Sequence, residues 1–213
     1  METEALGEAE RRIGDEFARA VETIARSKGR VIVSGVGKSG LVGRKIAATL
    51  TSTGTPATFL HPADSVHGDL GIVGQSDVAI LISKSGESDE VLGLLDHLKR
   101  LGVCTIALTG NTKSTLSRHS DVTLDGWVRE EACPHDLAPT TSTTVALALG
   151  DALAIALLEE KSLGAGRYSG EGENWNEFPR SAAGALGSLP RFLDAMCGVE
   201  DHWCVARLTK SGE

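Results

Sequence analysis

The chain has 213 residues, 41% of them hydrophobic but only 4% aromatic, and a net charge of −8 from 21 Lys and Arg against 29 Asp and Glu. That length fits one α/β domain plus a tail, with a core built from Val, Ile, Leu and Ala, which suits helices packed on a parallel sheet. A negative balance with no block of Lys or Arg argues against nucleic acid and a basic membrane patch, and no run approaches about 18 uninterrupted apolar residues, so no transmembrane helix is expected.

Leu6, Ile13, Phe17, Val21 and Ile24 fall at helical spacing with charges between them, predicting one amphipathic helix from Thr3 to Ser27 that ends at Lys28-Gly29. Val31 to Ser34 reads as the first strand and Leu41 to Leu50 as a helix, broken by Gly54-Thr55-Pro56. Ala57 to Leu60 is the second strand, and His61 to Leu70 a polar segment with room for a helical turn. Val78 to Ile82 is the third strand, Glu90 to Leu101 a helix capped by Gly102, and Thr105 to Leu108 the fourth strand. A short helix from Ser114 to His119 precedes a fifth strand, Val122 to Leu124. Thr143 to Leu158 is rich in Ala and Leu and nearly uncharged, the pattern of a buried helix.

This alternation implies right-handed βαβ units and a parallel sheet with helices on both faces. From Ser162 the character changes: Gly164, Gly166, Gly170 and Gly172 crowd together, and residues 161–213 read as a C-terminal extension to a domain of residues 1–160. The acidic, mixed stretch Met1 to Arg12 is unlike a signal peptide, so Cys104, Cys133, Cys197 and Cys204 are expected as reduced thiols in the cytoplasm. Cys197 and Cys204 with His202 between them make a poor zinc site, having no second pair, and no metal is expected.

Two segments carry chemistry. Ser34-Gly35-Val36-Gly37-Lys38-Ser39-Gly40 follows an apolar run directly. A strand that turns through glycines into a helix presents backbone N–H groups and a helix N-terminus, a pocket for phosphate. Gly37 and Ser39 are candidate contacts there, and Lys38 adds a full charge. The second turn, Ser83-Lys84-Ser85-Gly86-Glu87-Ser88, again follows a strand, and Ser83, Ser85 and Ser88 are phosphate-site candidates. In a parallel sheet both turns lie at the carboxyl ends of strands, where ligands bind. Gly35, Gly37 and Gly40 match the spacing of a dinucleotide turn, yet Thr53 to Leu60 offers no acid for a ribose, and a redox enzyme is disfavoured.

The order of further segments carries a resemblance: Ser52-Thr53-Gly54-Thr55-Pro56, His61-Pro62-Ala63, His67-Gly68-Asp69-Leu70-Gly71, Glu131-Ala132-Cys133-Pro134, Leu137 to Thr144, and Gly150-Asp151-Ala152-Leu153-Ala154. Together with the two turns they make residues 30 to 160 resemble the sugar isomerase (SIS) domain, specifically the arabinose-5-phosphate isomerases of bacterial surface-polysaccharide synthesis. The resemblance implies a three-layer αβα sandwich around a five-stranded parallel sheet, flavodoxin-like. It also implies a homo-oligomer, usually a tetramer, that interconverts ribulose 5-phosphate and arabinose 5-phosphate without a redox cofactor.

Isomerisation needs a base near the proton beside a carbonyl and a donor for the developing oxyanion. Carried over to this sequence, the family's two carboxylates fall on Glu90 and Glu131 and its lysine on Lys38, with His67 close to the site; Thr141 and Ser142 join the serines of the second turn as phosphate-site candidates. Glu131 is read as the carbon base and Glu90 as its partner, roles that can be exchanged. Two departures stand out: the regulatory repeats that usually follow do not fit this length, and the family's late His-Pro-Gly-Gly-Ala-Leu-Gly element reads Phe178-Pro179-Arg180-Ser181-Ala182-Ala183-Gly184-Ala185-Leu186-Gly187. His135 is a candidate substitute for that histidine. Two other functions stay open, a phosphosugar- or nucleotide-sugar-binding module without turnover and an isomerase of a hexulose 6-phosphate.

Overall fold

A computed structural model of the chain describes residues 1–65 and 67–163. Helices α1 (Glu2–Glu10) and α2 (Asp15–Arg26) lead into five β/α steps. These are β1 (Val31–Gly35), α3 (Gly37–Ser52), β2 (Ala57–Phe59), α4 (Pro62–Ser65) with a 3-10 turn at Asp69–Ile72, β3 (Val78–Ser83), α5 (Asp89–Leu101), β4 (Cys104–Thr109), α6 (Thr115–His119), β5 (Val122–Asp125) and α7 (Thr141–Leu163). All strand pairs are parallel and the spatial order is β2-β1-β3-β4-β5. The expected αβα sandwich and its five-stranded parallel sheet are thus the observed fold.

Each strand's alternation sorts its side chains to two cores. Val31, Val33, Ile80, Ile82, Ile106 and Leu108 face α1, α2, α3 and α7, while Ile32, Ala79, Leu81 and Ala107 face Val91, Leu94, Leu95 and Leu98 of α5 and Leu116 of α6. The central strands β1 and β3 are buried throughout, as expected of a sheet covered on both faces.

The single helix expected from Thr3 to Ser27 is two helices. Gly14 sits extended at the N-cap of α2, and Asp15 and Glu16 follow in the first turn, where the helix dipole favours them. At the break Arg12 turns inward to Asp125 and donates to the carbonyl of Trp127. The last helix is longer than its apolar run: it starts at Thr141 and carries on to Leu163. Its stretch Thr141–Lys161 has the length and hydropathy of a membrane span, which the count of uninterrupted apolar residues misses because Gly150 and Asp151 break the run. In the fold it packs against α3, α1 and α2, and 61% of its most apolar window is buried. The glycine-rich stretch from Gly164 and the Phe178 to Gly187 segment lie outside the described residues.

Candidate active site

The carboxyl ends of β1 and β3 are neighbours in the sheet, yet α3 leaves toward one core and α5 toward the other. Such a divergence opens a crevice, the usual ligand position of doubly wound sheets. Here it forms a cavity of about 300 Å3. Its walls include Lys38, Ser39, Ser83, Lys84, Ser85, Ser88, Ser142 and Thr143, with Ile82, Leu108 and Ala146 as apolar floor.

Three long helices begin at this cavity, α3, α5 and α7. Unpaired N–H groups at helix starts and the summed peptide dipoles favour an anion. At α3 the N-cap is Val36, whose side chain cannot cap, and Gly37 takes a left-handed φ of 56° to start the helix. At α5 the N-cap is Ser88, and its hydroxyl does not cap either; it lies 2.9 Å from the Ser83 hydroxyl instead. The first-turn amides of both helices are therefore not covered by an N-cap side chain.

The serine turn is fixed from behind. Gly86 has φ 68°, and a Cβ on it would meet Ser114 Oγ at 2.1 Å and Ser114 Cβ at 2.4 Å. The Leu116 amide donates to the Gly86 carbonyl at 3.0 Å, and the Thr115 amide to Glu87 Oε1 at 2.8 Å, so α6 clamps the turn. That amide bond from Thr115 is also the main reason the Glu87 carboxyl titrates below its ordinary value.

The third wall comes from the loop before α7, which is built around Glu131. Its carboxylate is 1% exposed and accepts from the Thr140 amide at 2.9 Å, the Ser142 amide at 3.0 Å and the Ser142 hydroxyl. Lys84 Nζ completes the set at 2.6 Å from Glu131 Oε1. Burial alone raises this carboxyl's pKa; the bonds from Lys84, Ser142 and Thr140 outweigh it and hold the group down at about 2. Glu131 thereby caps α7 as an internal anion.

Of the residues singled out in the sequence, Lys38, Ser39, Ser83, Ser85, Ser88 and Ser142 line one cavity, and Gly37 adjoins it in the α3 turn. Glu131 stands behind the wall, touching Lys84 and Ser142. Thr141 faces elsewhere: its buried hydroxyl borders a small space beside Glu8 and Arg129, without a hydrogen-bond partner among the described residues. Glu90, in the first turn of α5, and His67, in the turn after α4, are exposed and outside the cavity wall of one chain, as is His135. Lys84 joins the cavity lining although the second turn's sequence points only to its serines. The signal for it is the one that marks Lys38, a lysine in a polar turn at a strand's end.

Similarity to known proteins agrees with this geometry. The SIS-domain family matches residues 23–156. The chain belongs to the SIS-domain family. Arabinose 5-phosphate isomerase KdsD of Pseudomonas aeruginosa is 53% identical over 161 residues, covering 76% of this chain and 49% of the relative. The chain spans about half the length of the curated relatives it matches. Among solved structures, a protein of Escherichia coli CFT073 in complex with A5P is 44% identical with a TM-score of 0.72, over 74% of this chain and 84% of that one. The Vibrio vulnificus NanR protein complexed with ManNAc-6P is 26% identical with a TM-score of 0.65, over 74% of this chain and 59% of that one. Each of these two neighbours is named with a phosphorylated sugar, and the crevice of this chain presents the amides, hydroxyls and lysines that suit such a ligand.

Proposed function

We propose that the chain is an aldose–ketose isomerase that interconverts D-ribulose 5-phosphate and D-arabinose 5-phosphate through an enediolate. The observation that carries this reading is the gathering of Lys38, the serine turn and the starts of α3 and α5 around one cavity, in a chain that is 53% identical over 161 residues to an arabinose 5-phosphate isomerase. Ser83, Ser85, Ser88 and the α5 start take the phosphate, with Gly37 and Ser39 beside them, and Lys38 binds sugar oxygens. A carboxylate removes the proton from C1 and the electrons move to the carbonyl oxygen O2; the O1 hydroxyl proton then passes to O2 and the carbon proton is delivered to C2, leaving the carbonyl at C1.

Of the two carboxylates, Glu90 suits the base better than Glu131. A base pinned by donors from Thr140, Ser142 and Lys84 and held at about pKa 2 has little pull on a carbon-bound proton near neutrality. Glu90 and His67, exposed in one chain, then reach the sugar from the cavity rim or from a neighbouring copy in a homo-oligomer, for which a tetramer is favoured. Thr141 drops out of the contact set, and Ser142 acts through Glu131.

Incubation of the protein with ribulose 5-phosphate, followed by chromatographic analysis for arabinose 5-phosphate, tests this. Product above the uncatalysed background is expected; none rejects it. The likeness to NanR with ManNAc-6P favours one second reading, a phosphosugar-binding module, which predicts ligand-induced stabilisation without turnover.

A further inference from the structure

Lys84 is held at both ends. Its carbonyl accepts from the Gly110 amide at 3.0 Å and from Thr109 Oγ1 at 3.4 Å, which fixes the backbone at the end of β3. Its stem runs past Gly110: a Cβ there would lie 3.0 Å from the Lys84 carbonyl oxygen and in ordinary contact, 3.6 Å, with Lys84 Cγ. Its ammonium ends 2.6 Å from Glu131 Oε1, a carboxylate locked by the Thr140 and Ser142 amides and so unable to swing away. Yet the lysine side chain is 48% exposed and lines the cavity. An ammonium has three donors. With one on Glu131, two remain to face the cavity.

The Glu131 carboxylate also decides which part of a ligand this ammonium meets. A phosphate dianion seated on Lys84 would lie within a few ångström of a second, buried anion and be repelled. The serine turn and the start of α5 offer hydroxyls and amides with no buried anion behind them: Glu87 is turned away to Thr115, and Asp89 and Glu90 of the first turn are exposed and outside the cavity wall. A carbonyl oxygen, neutral at rest and negative only as the reaction proceeds, suits the paired ammonium.

We propose that Lys84 is a catalytic residue alongside Lys38, its ammonium contacting the carbonyl-end oxygens of the sugar phosphate, with Glu131 as the residue that positions it. This rests on the isomerase reading and adds to it a donor for the developing oxyanion, preorganised by an ion pair. A donor of that kind acts on turnover more than on ground-state binding.

The test compares wild type with Lys84→Met, and with Lys84→Gln should the methionine variant not fold. Steady-state rates with ribulose 5-phosphate, competitive inhibition by inorganic phosphate, and calorimetric binding of arabinose 5-phosphate are measured. Loss of one oxyanion donor predicts a fall in kcat of about 100-fold or more, with KM changed far less. Inorganic phosphate, if it takes the serine turn as proposed, should inhibit both proteins alike to within about twofold, which also reports an intact fold. Glu131→Gln should lower kcat in the same direction and add little in the double variant, because both changes act on one group. A kcat for Lys84→Met within about threefold of wild type overturns the proposal, and so does a loss that falls equally on phosphate inhibition. Should wild type show no turnover, the isomerase reading fails by itself and Lys84 is judged by calorimetry. There Lys84→Met should weaken arabinose 5-phosphate binding by about threefold, the smaller share expected of such a donor in the ground state; unchanged affinity, or no binding by wild type, overturns the proposal.

Discussion

Glu131 shows how one buried carboxylate ties acid stability to site geometry. Its folded pKa is depressed from 4.5 to about 2. A depressed carboxyl stabilises the fold fully above its ordinary value, and that contribution is lost as pH falls from 4.5 toward 2. The shift corresponds to an upper bound on the order of 3 kcal/mol near neutrality. Glu131→Gln should therefore lower the urea midpoint strongly at pH 7 and much less near pH 3; a gap that stays constant across this range rules the account out. Cys133, on the same loop, has the amides of Ala138, His135, Leu137 and Asp136 directed at its sulfur, which lowers its thiol pKa, whereas burial first and Asp121 second raise that of Cys104. The thiolate is the nucleophile, so iodoacetamide at pH 7.5 should modify the Cys133 peptide well before the Cys104 peptide, as mass mapping would show. Equal rates would contradict the geometry. At this scale Lys38 and the three serines are legible in the sequence, because a glycine or serine turn after an apolar run declares itself locally. The Lys84–Glu131 pair is not: it joins the end of β3 to the loop after β5, and no local pattern encodes a bond across the fold.

Among elements, the strands and α5 follow from apolar runs and the Gly102 cap, while the helix ends at the site do not. α3 starts at Gly37, four positions before the first apolar residue that marks it, because Gly37, Lys38 and Ser39 open the helix without contributing to its apolar spacing. The break between α1 and α2 is written in Gly14-Asp15-Glu16, but helical spacing on either side hides it. The crossing of α3 and α7 is a case in which one glycine matters. A Cβ on Gly150 would lie 2.3 and 2.4 Å from Ile46 Cδ1 and Cγ1 and 3.1 Å from its Cγ2, and Ile46 is fully buried. No rotation of the chain end clears three atoms at once. Gly150→Ala should therefore cost about 1–3 kcal/mol, as overpacked cores do. Ile46→Val in the same protein should recover part of that loss. Thermal melts of both single variants and the double variant decide it, and simple additivity would show that the two side chains do not compete for one space.

For the molecule as a whole, the charge runs against the ligand: the chain carries a net −8 and is proposed to bind a dianion. The fold resolves this by concentrating helix starts and two lysines where β1 and β3 diverge, so that the local field, not the total, decides. The parallel order β2-β1-β3-β4-β5 is what makes that concentration possible, since β1 and β3 are neighbours in the sheet while α3 and α5, the helices that follow them, pack on opposite faces. A ligand that binds only the folded state raises stability by about 2.7 kcal/mol at a hundredfold excess over its dissociation constant. For a domain of this size that is a rise in Tm of roughly 5–10 °C. Arabinose 5-phosphate should produce such a rise, and arabinose without its phosphate should produce almost none at the same concentration. Raising the salt concentration should erode the shift only modestly, because the serine turn and the start of α5 sit within a crevice rather than on an open surface. An equal shift from the neutral sugar would mean that the hydroxyls and amides at the carboxyl edge of the sheet do not read the anion, and the electrostatic account of the site would fail.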